Sequence, residues 1–171
     1  MEEENRTPED WLREAVSAYG DALLRLCFLY LGDRQMAEDA VQECFIKAYR
    51  SRGRFRGSCS DKTWLTRIAV NQCKSMLRRK KPTVPLDALP EAVCEQEFAD
   101  STVIDAVLSL PRKSREVILL YYYQEMSIKE IARLLHLAEG SVSARLSRAR
   151  AEPKEKLKGW YWDESDEKIH G

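Results

Sequence analysis

Apolar residues recur at helical spacing along most of the chain, and capping residues and glycines divide this pattern into segments. Thr7, followed by a proline and two acidic residues, predicts the start of a helix. Gly20 predicts a break and Gly32 a stop, and Asp33 predicts the N-cap of a further helix that extends to about Arg52. No segment shows the sustained alternation typical of a strand, so the pattern predicts an all-α fold.

The segment that follows Asp33 combines a buried stripe with an unusual opposite face. The predicted stripe consists of Ala37, Val41, Cys44 and Ala48. The other face mixes polar and apolar side chains, namely Asp39, Gln42, Glu43, Ile46, Tyr49 and Arg50. A solvated face does not need Ile46 and Tyr49, so this pattern predicts a protein-docking surface. Isolated exposed apolar residues on an ordinary helix are the alternative.

A second helix with a distinctive outer face is predicted over residues 61–81, after the glycine-bounded loop GRFRGSCS. Its predicted inward residues are Leu65, Ile68, Ala69 and Met76. Its predicted outward residues are Arg67, Asn71, Lys74 and Arg78. An asparagine among cations indicates base reading beside phosphate anchoring. The closing RRKK favours contact with a DNA backbone, and a generic solvated basic run is the alternative.

Residues 126–150 have the pattern of a helix-turn-helix. Ser127 and Glu130 form a capping box at the start of the first helix, whose apolar stripe is Ile128, Ile131, Ala132 and Leu135. In the second helix Val142, Leu146 and Ala149 are predicted to point inward, and Ser143, Ala144, Ser147 and Arg148 outward. This small polar face suits the major groove, where Arg148 reaches a guanine or a phosphate. An amphipathic hairpin with a solvated face is the alternative.

Composition and charge add the domain organisation. The chain has 171 residues, 44% of them hydrophobic and 33% charged, which is typical of one or two small helical domains. Residues 1–81 and residues 101–160 each carry four more basic than acidic side chains. Residues 82–100 contain five acids, no base and three prolines, which predicts a flexible acidic linker, and residues 161–171 form an acidic aromatic tail.

The composition also limits the classes of function. No run is apolar enough to span a membrane, and the N-terminus lacks a signal-peptide pattern, so we expect no membrane insertion and a cytoplasmic location. The five cysteines are widely spaced without a C-x-x-C, which favours buried thiols over a disulfide or a metal site. With two histidines and no phosphate loop or nucleophile motif, we expect neither a cofactor nor catalysis.

Four motifs in order resemble the extracytoplasmic-function (ECF) sigma factors, group IV of the bacterial sigma-70 family. They are AEDAVQECFIKAYR, FRGSCSDKTWLTRIAVN, LPRKSREVILLYYYQEMSIKEIARLL and EGSVSARLSRAR. The resemblance implies a sigma domain 2 in residues 1–81, which binds the β′ clamp helices of core RNA polymerase and opens the minus-ten promoter element. It implies a sigma domain 4 in residues 101–160, which meets the β flap and reads the minus-thirty-five element. It also implies an anti-sigma factor, which some members of the family lack, and a response to envelope or other external stress.

The resemblance also implies roles for individual residues. Asp39, Gln42 and Glu43 correspond to the polymerase-docking helix, next to Ile46. The loop that receives a flipped base corresponds to Gly57, Ser58, Cys59 and Ser60, and Asn71 matches a residue that reads an exposed non-template base. Phe55 and Trp64 fall where the family packs this loop against the bundle. Ser143, Ala144, Ser147 and Arg148 match base-facing positions, with Arg145 and Arg150 as phosphate contacts.

Three positions depart from the family pattern. His136 replaces a common glycine in the turn, and we expect it to adopt a left-handed backbone. Cys59 stands where a small polar residue is usual. Pro153 predicts that the recognition helix ends or kinks near Ala151. A stand-alone helix-turn-helix regulator remains the alternative function, although it leaves the FRGSCS loop and the outward Asn71 unexplained.

Overall fold

The computed structural model describes residues 6–79 and 101–151. Every regular element in these ranges is a helix, which confirms the predicted all-α fold. The chain divides into two compact units, Met1–Pro90 and Glu91–Gly171. The predicted acidic linker (82–100) and acidic tail (161–171) lie outside the described residues, as do Cys94 and Pro153. The domain limits of 81, 101 and 160 therefore stay predictions.

The first helix of unit 1, α1 (Pro8–Leu31), begins and ends where local chemistry predicted. The Thr7 side chain accepts a hydrogen bond from the Asp10 N–H at 3.1 Å, and the Asp10 carboxylate accepts in return from Thr7. Gly32 ends the helix with φ 70°. The predicted break at Gly20 is wrong, because α1 runs through it without interruption. Burial of the leucines that follow Gly20 outweighs the roughly 1 kcal/mol by which glycine disfavours a helix interior.

Helix α2 (Arg34–Ser51) begins at Asp33, whose carboxylate accepts from the Met36 N–H at 2.9 Å, as predicted. Ala37, Cys44 and Ala48 are fully buried, but Val41 is only half-buried. Two further residues complete the buried face, Ala40 and Phe45. The face is broader than one stripe because α2 packs against both α1 and α3.

A 3₁₀ turn (Arg52–Arg54) and a loop lead to α3 (Asp61–Arg79). Leu65 and Ala69 are buried as predicted, whereas Ile68 and Met76 are only half-buried. The buried face also includes Thr66, Val70, Gln72 and Cys73. Contact with α1 as well as α2 explains this wider face. The predicted final residues of the helix, Lys80 and Lys81, lie outside the described part of the chain.

Unit 2 contains α4 (Ser101–Ser109), α5 (Arg112–Ile118), α6 (Ile128–Leu135) and α7 (Glu139–Ala151). Between α5 and α6 lies a π-helical turn, Leu119–Tyr123, in which the Gln124 N–H donates to the Leu119 carbonyl at 3.0 Å. Hydrophobic periodicity did not predict this turn. A π-helical turn changes the local hydrogen-bond spacing of the helix but not the apolar character of its residues, so the hydrophobic pattern does not reveal it.

The helix-turn-helix of unit 2 confirms the predicted caps and most of the predicted stripes, although Ile128 is only half-buried and Leu134 is buried in addition. Ser127 accepts from the Glu130 N–H at 3.2 Å, and the Glu130 carboxylate accepts from the Ser127 N–H at 2.9 Å. His136 ends α6 in the left-handed conformation with φ 54° and ψ 46°. The inward side of α7 is buried at Val142, Leu146 and Ala149. None of the described helices is long and apolar enough to cross a bilayer.

Candidate protein and nucleic-acid interfaces

The predicted docking face of α2 is exposed along its length. Asp39, Gln42, Glu43 and Ile46 all point to solvent from one side of the helix, and 42% of Ile46 is accessible. The apolar side chain of Ile46 is thus in contact with water among carboxylates and an amide, and its burial against another protein surface would be favourable. The geometry fits a docking face of mixed polar and apolar character, and its use stays a prediction.

An apolar groove between α1 and α2 adjoins this face. It encloses about 490 Å³. Its walls carry the apolar side chains of Val16, Leu24, Val41, Phe45 and Ile46. Sequence analysis missed this α1/α2 groove because the predicted break at Gly20 separated the α1 residues that form one wall. The exposed Val16, 46% accessible, extends the apolar surface beyond α2.

The far end of the α2 face is tied to the start of α1. The Tyr49 hydroxyl donates to the Glu9 carboxylate at 2.5 Å. This hydrogen bond lowers the pKa of Glu9, because it favours the ionised carboxylate, and it raises the pKa of Tyr49. Tyr49 is therefore held by its own domain, although it remains 36% exposed.

The loop before α3 is largely exposed to solvent. Gly57 has φ +68°, and a Cβ atom placed there meets nothing within 4 Å. Ser58 is exposed and Cys59 is half-buried. Ser60 has a structural role in addition to the predicted one, because its hydroxyl accepts from the Thr63 N–H at 3.1 Å and caps α3. The loop thus offers a compact exposed segment at a helix N-terminus.

Both ends of the loop are anchored in an aromatic cluster. Phe55 stacks on Trp64 with ring centroids 4.4 Å apart and an interplanar angle of 13°. This confirms that the two rings pack the loop against the bundle. Trp11 of α1 joins the cluster 5.9 Å from Trp64, and its Nε1–H donates to Asp61 at 2.8 Å. Sequence analysis missed Trp11, since 50 residues separate it from Asp61.

The outward side of α3 carries the predicted mixture of one amide and three cations. Asn71 and Arg78 are exposed, while Arg67 and Lys74 are half-buried. The spacing of four, three and four residues places them along one line on the helix surface. Asn71 therefore has a cation on each side of it along the helix, Arg67 and Lys74.

The outward side of α7 carries mostly short side chains. Ala144, Ser147 and Arg148 are exposed, and Ser143 and Arg145 are half-buried. The Arg148 Nε donates to the Ala144 carbonyl of its own helix at 3.3 Å, so its side chain lies along the surface until a better acceptor is offered. Small neighbours leave room for a close approach to base edges.

Arg150 differs from the other cations of α7. Its Nε donates to the Tyr122 hydroxyl at 2.7 Å, and its guanidinium lies 5.7 Å and 5.5 Å from the ring centroids of Tyr121 and Tyr122. These contacts hold α7 against the π-helical turn. The predicted phosphate contact of Arg150 stays a prediction, and its reach towards DNA is limited by this internal role.

Three cysteines of unit 1 are buried free thiols, as predicted, namely Cys27, Cys44 and Cys73. Burial raises the pKa of Cys44 to about 12. A hydrogen bond with Cys73, followed by burial, raises the pKa of Cys27. Within residues 6–79 and 101–151, no cluster of metal-ligating side chains occurs. The arrangement is that of inert core thiols.

The two units coincide with two known sequence families. The model of Sigma-70 region 2 matches residues 15–83, and that of Sigma-70 region 4 matches residues 101–152. The ECF RNA polymerase sigma factor SigW of Bacillus subtilis is 33% identical over 169 residues, covering 88% of this chain and 90% of SigW. The chain belongs to the ECF RNA polymerase sigma factors. It is thus a transcription initiation factor that acts with core RNA polymerase at promoters.

Three further proteins resemble this sigma factor in sequence or in fold. SigM of Mycobacterium tuberculosis is 38% identical over 133 residues, covering 75% of this chain and 68% of SigM. The structure of CnrH in complex with the cytosolic domain of CnrY is 27% identical, with a TM-score of 0.64, and covers 88% of this chain and 86% of CnrH. The sigma factor RpoE of Bartonella quintana, at 23% identity, has the same fold, with a TM-score of 0.69 over 88% of this chain and 98% of RpoE.

Proposed function

We propose that this ECF sigma factor docks on the β′ clamp helices through α2, opens the minus-ten element with unit 1 and reads the minus-thirty-five element with unit 2. Unit 2 would contact the β flap. The observation that carries the proposal is the presence of two different exposed faces on unit 1. One is the acidic and apolar face of α2, and the other is the Asn71 face of α3 with its basic neighbours.

Docking would use the α2 face and the α1/α2 groove together. Ile46 belongs to both surfaces, and Asp39, Gln42 and Glu43 supply hydrogen-bond acceptors around it. An apolar centre with a polar rim is the usual anatomy of a protein interface. A helical partner that carries basic and apolar side chains complements this surface in charge and in hydrophobicity.

Opening of the minus-ten element would proceed by capture of unpaired bases. A flipped base costs a few kcal/mol of lost stacking, and binding in a protein site offsets this cost. The loop from Gly57 to Ser60, exposed except at the half-buried Cys59, would offer such a site, and the Asn71 amide would both donate to and accept from a base edge. Arg67, Lys74 and Arg78 would hold the phosphates of the separated strand.

Unit 2 would bind duplex DNA through α7. Ser143, Ala144, Ser147 and Arg148 would face base edges, and Arg145 and Arg150 would contact phosphates. The low profile of the first three side chains supports insertion into the major groove, about 12 Å wide. Arg148, held only by a carbonyl of its own helix, is free to exchange that bond for a guanine edge or a phosphate.

A regulatory protein would occupy the same docking face in the uninduced cell. CnrH was solved together with the cytosolic domain of CnrY, which supports a protein partner of this kind. We assign this role to an anti-sigma factor that is removed by an envelope or other external stress. The sigma factor itself would act in the cytoplasm, without catalysis of its own.

A mobility-shift titration of one promoter fragment distinguishes the proposed function from the alternative, a regulator that binds duplex DNA alone. The fragment is mixed with the protein, with core polymerase and with both. We expect weak binding by the protein alone and a gain of about 10²–10⁴ with core, because one scaffold then presents both DNA-binding units. The double variant Gln42→Asp, Ile46→Asp should abolish this gain.

A matched control introduces the same two charges elsewhere. Ser17→Asp with Ala18→Asp changes two exposed positions of α1 outside the docking face and should leave the gain intact. Circular dichroism checks that both double variants keep their helical content. Tight, specific binding by the protein alone, unchanged by core and by the α2 substitutions, would overturn the sigma-factor mechanism and favour the stand-alone regulator.

A further inference from the structure

The base-receiving loop is held by a side chain that lies far away in the sequence. Trp11 sits near the start of α1 and is only 2% exposed. Its Nε1–H donates at 2.8 Å to Asp61, the first residue of α3, which directly follows the loop. An indole N–H is a donor only, so its burial requires an acceptor, and Asp61 provides one.

The same cluster also fixes the other end of the loop. The Arg52 guanidinium lies 4.7 Å from the Trp11 ring centroid and 5.4 Å from that of Phe55, the residue that begins the loop. An Arg52 nitrogen is 3.7 Å from the Asp61 carboxylate. Arg52 therefore links Trp11, the first loop residue and the residue after the loop in one network of cation–π and ionic contacts.

The loop between these two fixed ends has little support of its own. Gly57 and Ser58 are exposed, and the space around Gly57 is open. Such a segment loses conformational freedom when it closes on a base, and the loss is smaller if its ends are already fixed. The Trp11–Asp61–Arg52 network restricts both ends before DNA arrives.

We propose that Trp11 is a positioning residue for promoter opening, acting through Asp61 and Arg52 to hold the loop from Gly57 to Ser60 ready for a flipped base. The inference rests on the proposed base capture by that loop. Trp11 itself touches no DNA in this mechanism. Its contribution is confined to promoters that place a base in the loop, which separates it from a general contribution to stability.

The test is a thermodynamic cycle between Trp11→Phe and the captured base, with full-length protein and core polymerase. The phenylalanine keeps a buried aromatic ring beside Arg52 and removes the donor to Asp61. It is also smaller than the indole, and the comparison of two promoters separates a general loss of packing from an effect on the captured base. Abasic sites placed one at a time in the non-template strand of the minus-ten element first identify the base whose loss most reduces opening by the wild type. Open complexes are then measured on the intact promoter and on that abasic promoter.

We expect Trp11→Phe to lower open-complex formation on the intact promoter by about two- to tenfold, the range for net loss of one hydrogen bond. On the abasic promoter the variant should equal the wild type, because no base remains to be positioned. Tyr30→Phe is the matched control. It removes a hydroxyl from another buried aromatic of α1, roughly 28 Å along the helix, and should change neither promoter.

Equal losses on both promoters would show a purely structural role and overturn the inference, as would no loss on either. If Trp11→Phe loses helical content, Asp61→Asn replaces it, because it weakens the same hydrogen bond and the pair with Arg52 from the other side. Asn71→Ala serves as a separate check on the proposed function. If Asn71→Ala does not change open-complex formation, and no abasic site reduces opening by the wild type, the proposed base capture is wrong, and so is the role of Trp11.

Discussion

Two glycines of unit 1 should respond to alanine in opposite directions, although both have room for a methyl group. A Cβ at Gly20 meets only the Val16 Cγ1 atom, at 3.8 Å, which is ordinary van der Waals contact. A Cβ at Gly57 meets nothing within 4 Å. The difference lies in the backbone, because Gly20 is inside a helix and Gly57 has φ +68°.

The magnitudes follow from backbone conformation. Gly20→Ala should raise the free energy of unfolding of unit 1 by about 0.5–1 kcal/mol, because alanine loses less entropy in a helix. Gly57→Ala should lower it by about 1–2 kcal/mol, the cost of a left-handed backbone for an L-residue. For a domain of this size, each kcal/mol corresponds to about 4–8 °C in the melting temperature.

Fluorescence isolates unit 1 in this measurement. The chain has four tryptophans. Replacing the other two, Trp160 and Trp162, with phenylalanine leaves Trp11 and Trp64 as reporters of unit 1. Urea titrations of this background and of its two alanine variants then give the midpoints. A fall in stability with Gly20→Ala, or no change with Gly57→Ala, would refute the argument from backbone conformation.

Three further predictions concern DNA reading, thiol exposure and acid stability. Arg148→Ala should change base preference in the minus-thirty-five element. Arg145→Ala should instead weaken binding to all sequences alike and reduce the salt dependence of binding. Binding-site selection at several salt concentrations measures both effects. In Cys94→Ser protein, a thiol reagent at pH 8 should label Cys59 alone until denaturant exposes Cys27, Cys44 and Cys73. The hydrogen bond from Thr7 lowers the pKa of Asp10 in the folded state. The stabilisation by ionised Asp10 is therefore present above the ordinary aspartate pKa and is lost as the pH falls through the lowered pKa. The stabilities of wild type and Asp10→Asn, measured in acid titrations, should converge at low pH.

Helix starts were predictable because their causes are local. Thr7, Asp33 and Ser127 each cap a backbone N–H three residues away, so the capping residues and their partners appear together in the sequence. The prediction of a break at Gly20 was wrong for the opposite reason. Its local propensity was correct in sign, but burial of residues on both sides of it decided the outcome.

Predictions of buried residues from one apolar stripe on a helical wheel were less reliable where a helix packs against two other helices. Ile68 and Met76 were expected in the core, while Val70 and Cys73 occupy it. A wheel gives the direction of an apolar face but not how far a second helix widens it. The wheel placed Ile46 correctly on the exposed side, whereas the adjoining α1/α2 groove was missed because of the predicted break at Gly20.

The contacts that shape the candidate sites were the least predictable from sequence. Trp11 meets Asp61 across 50 residues, and Arg150 meets Tyr122 across 28. Neither pair has a spacing signal, because tertiary packing alone brings them together. Arg150 was assigned to phosphate from its place in a basic helix, yet its guanidinium is engaged within unit 2.

The two proposed DNA surfaces would place different physical demands on the structures that support them. Duplex reading requires a narrow face that enters a preformed groove, and α7 supplies it with small side chains on a helix buried along its other side. Base capture requires a loop that closes on a nucleotide already separated from its stack, so disorder in the loop adds directly to the cost of melting. Under the proposed mechanism, this asymmetry accounts for the aromatic and ionic anchor around the loop of unit 1. It also implies that mutations in the anchor should act on opening and leave recognition of the upstream duplex unchanged.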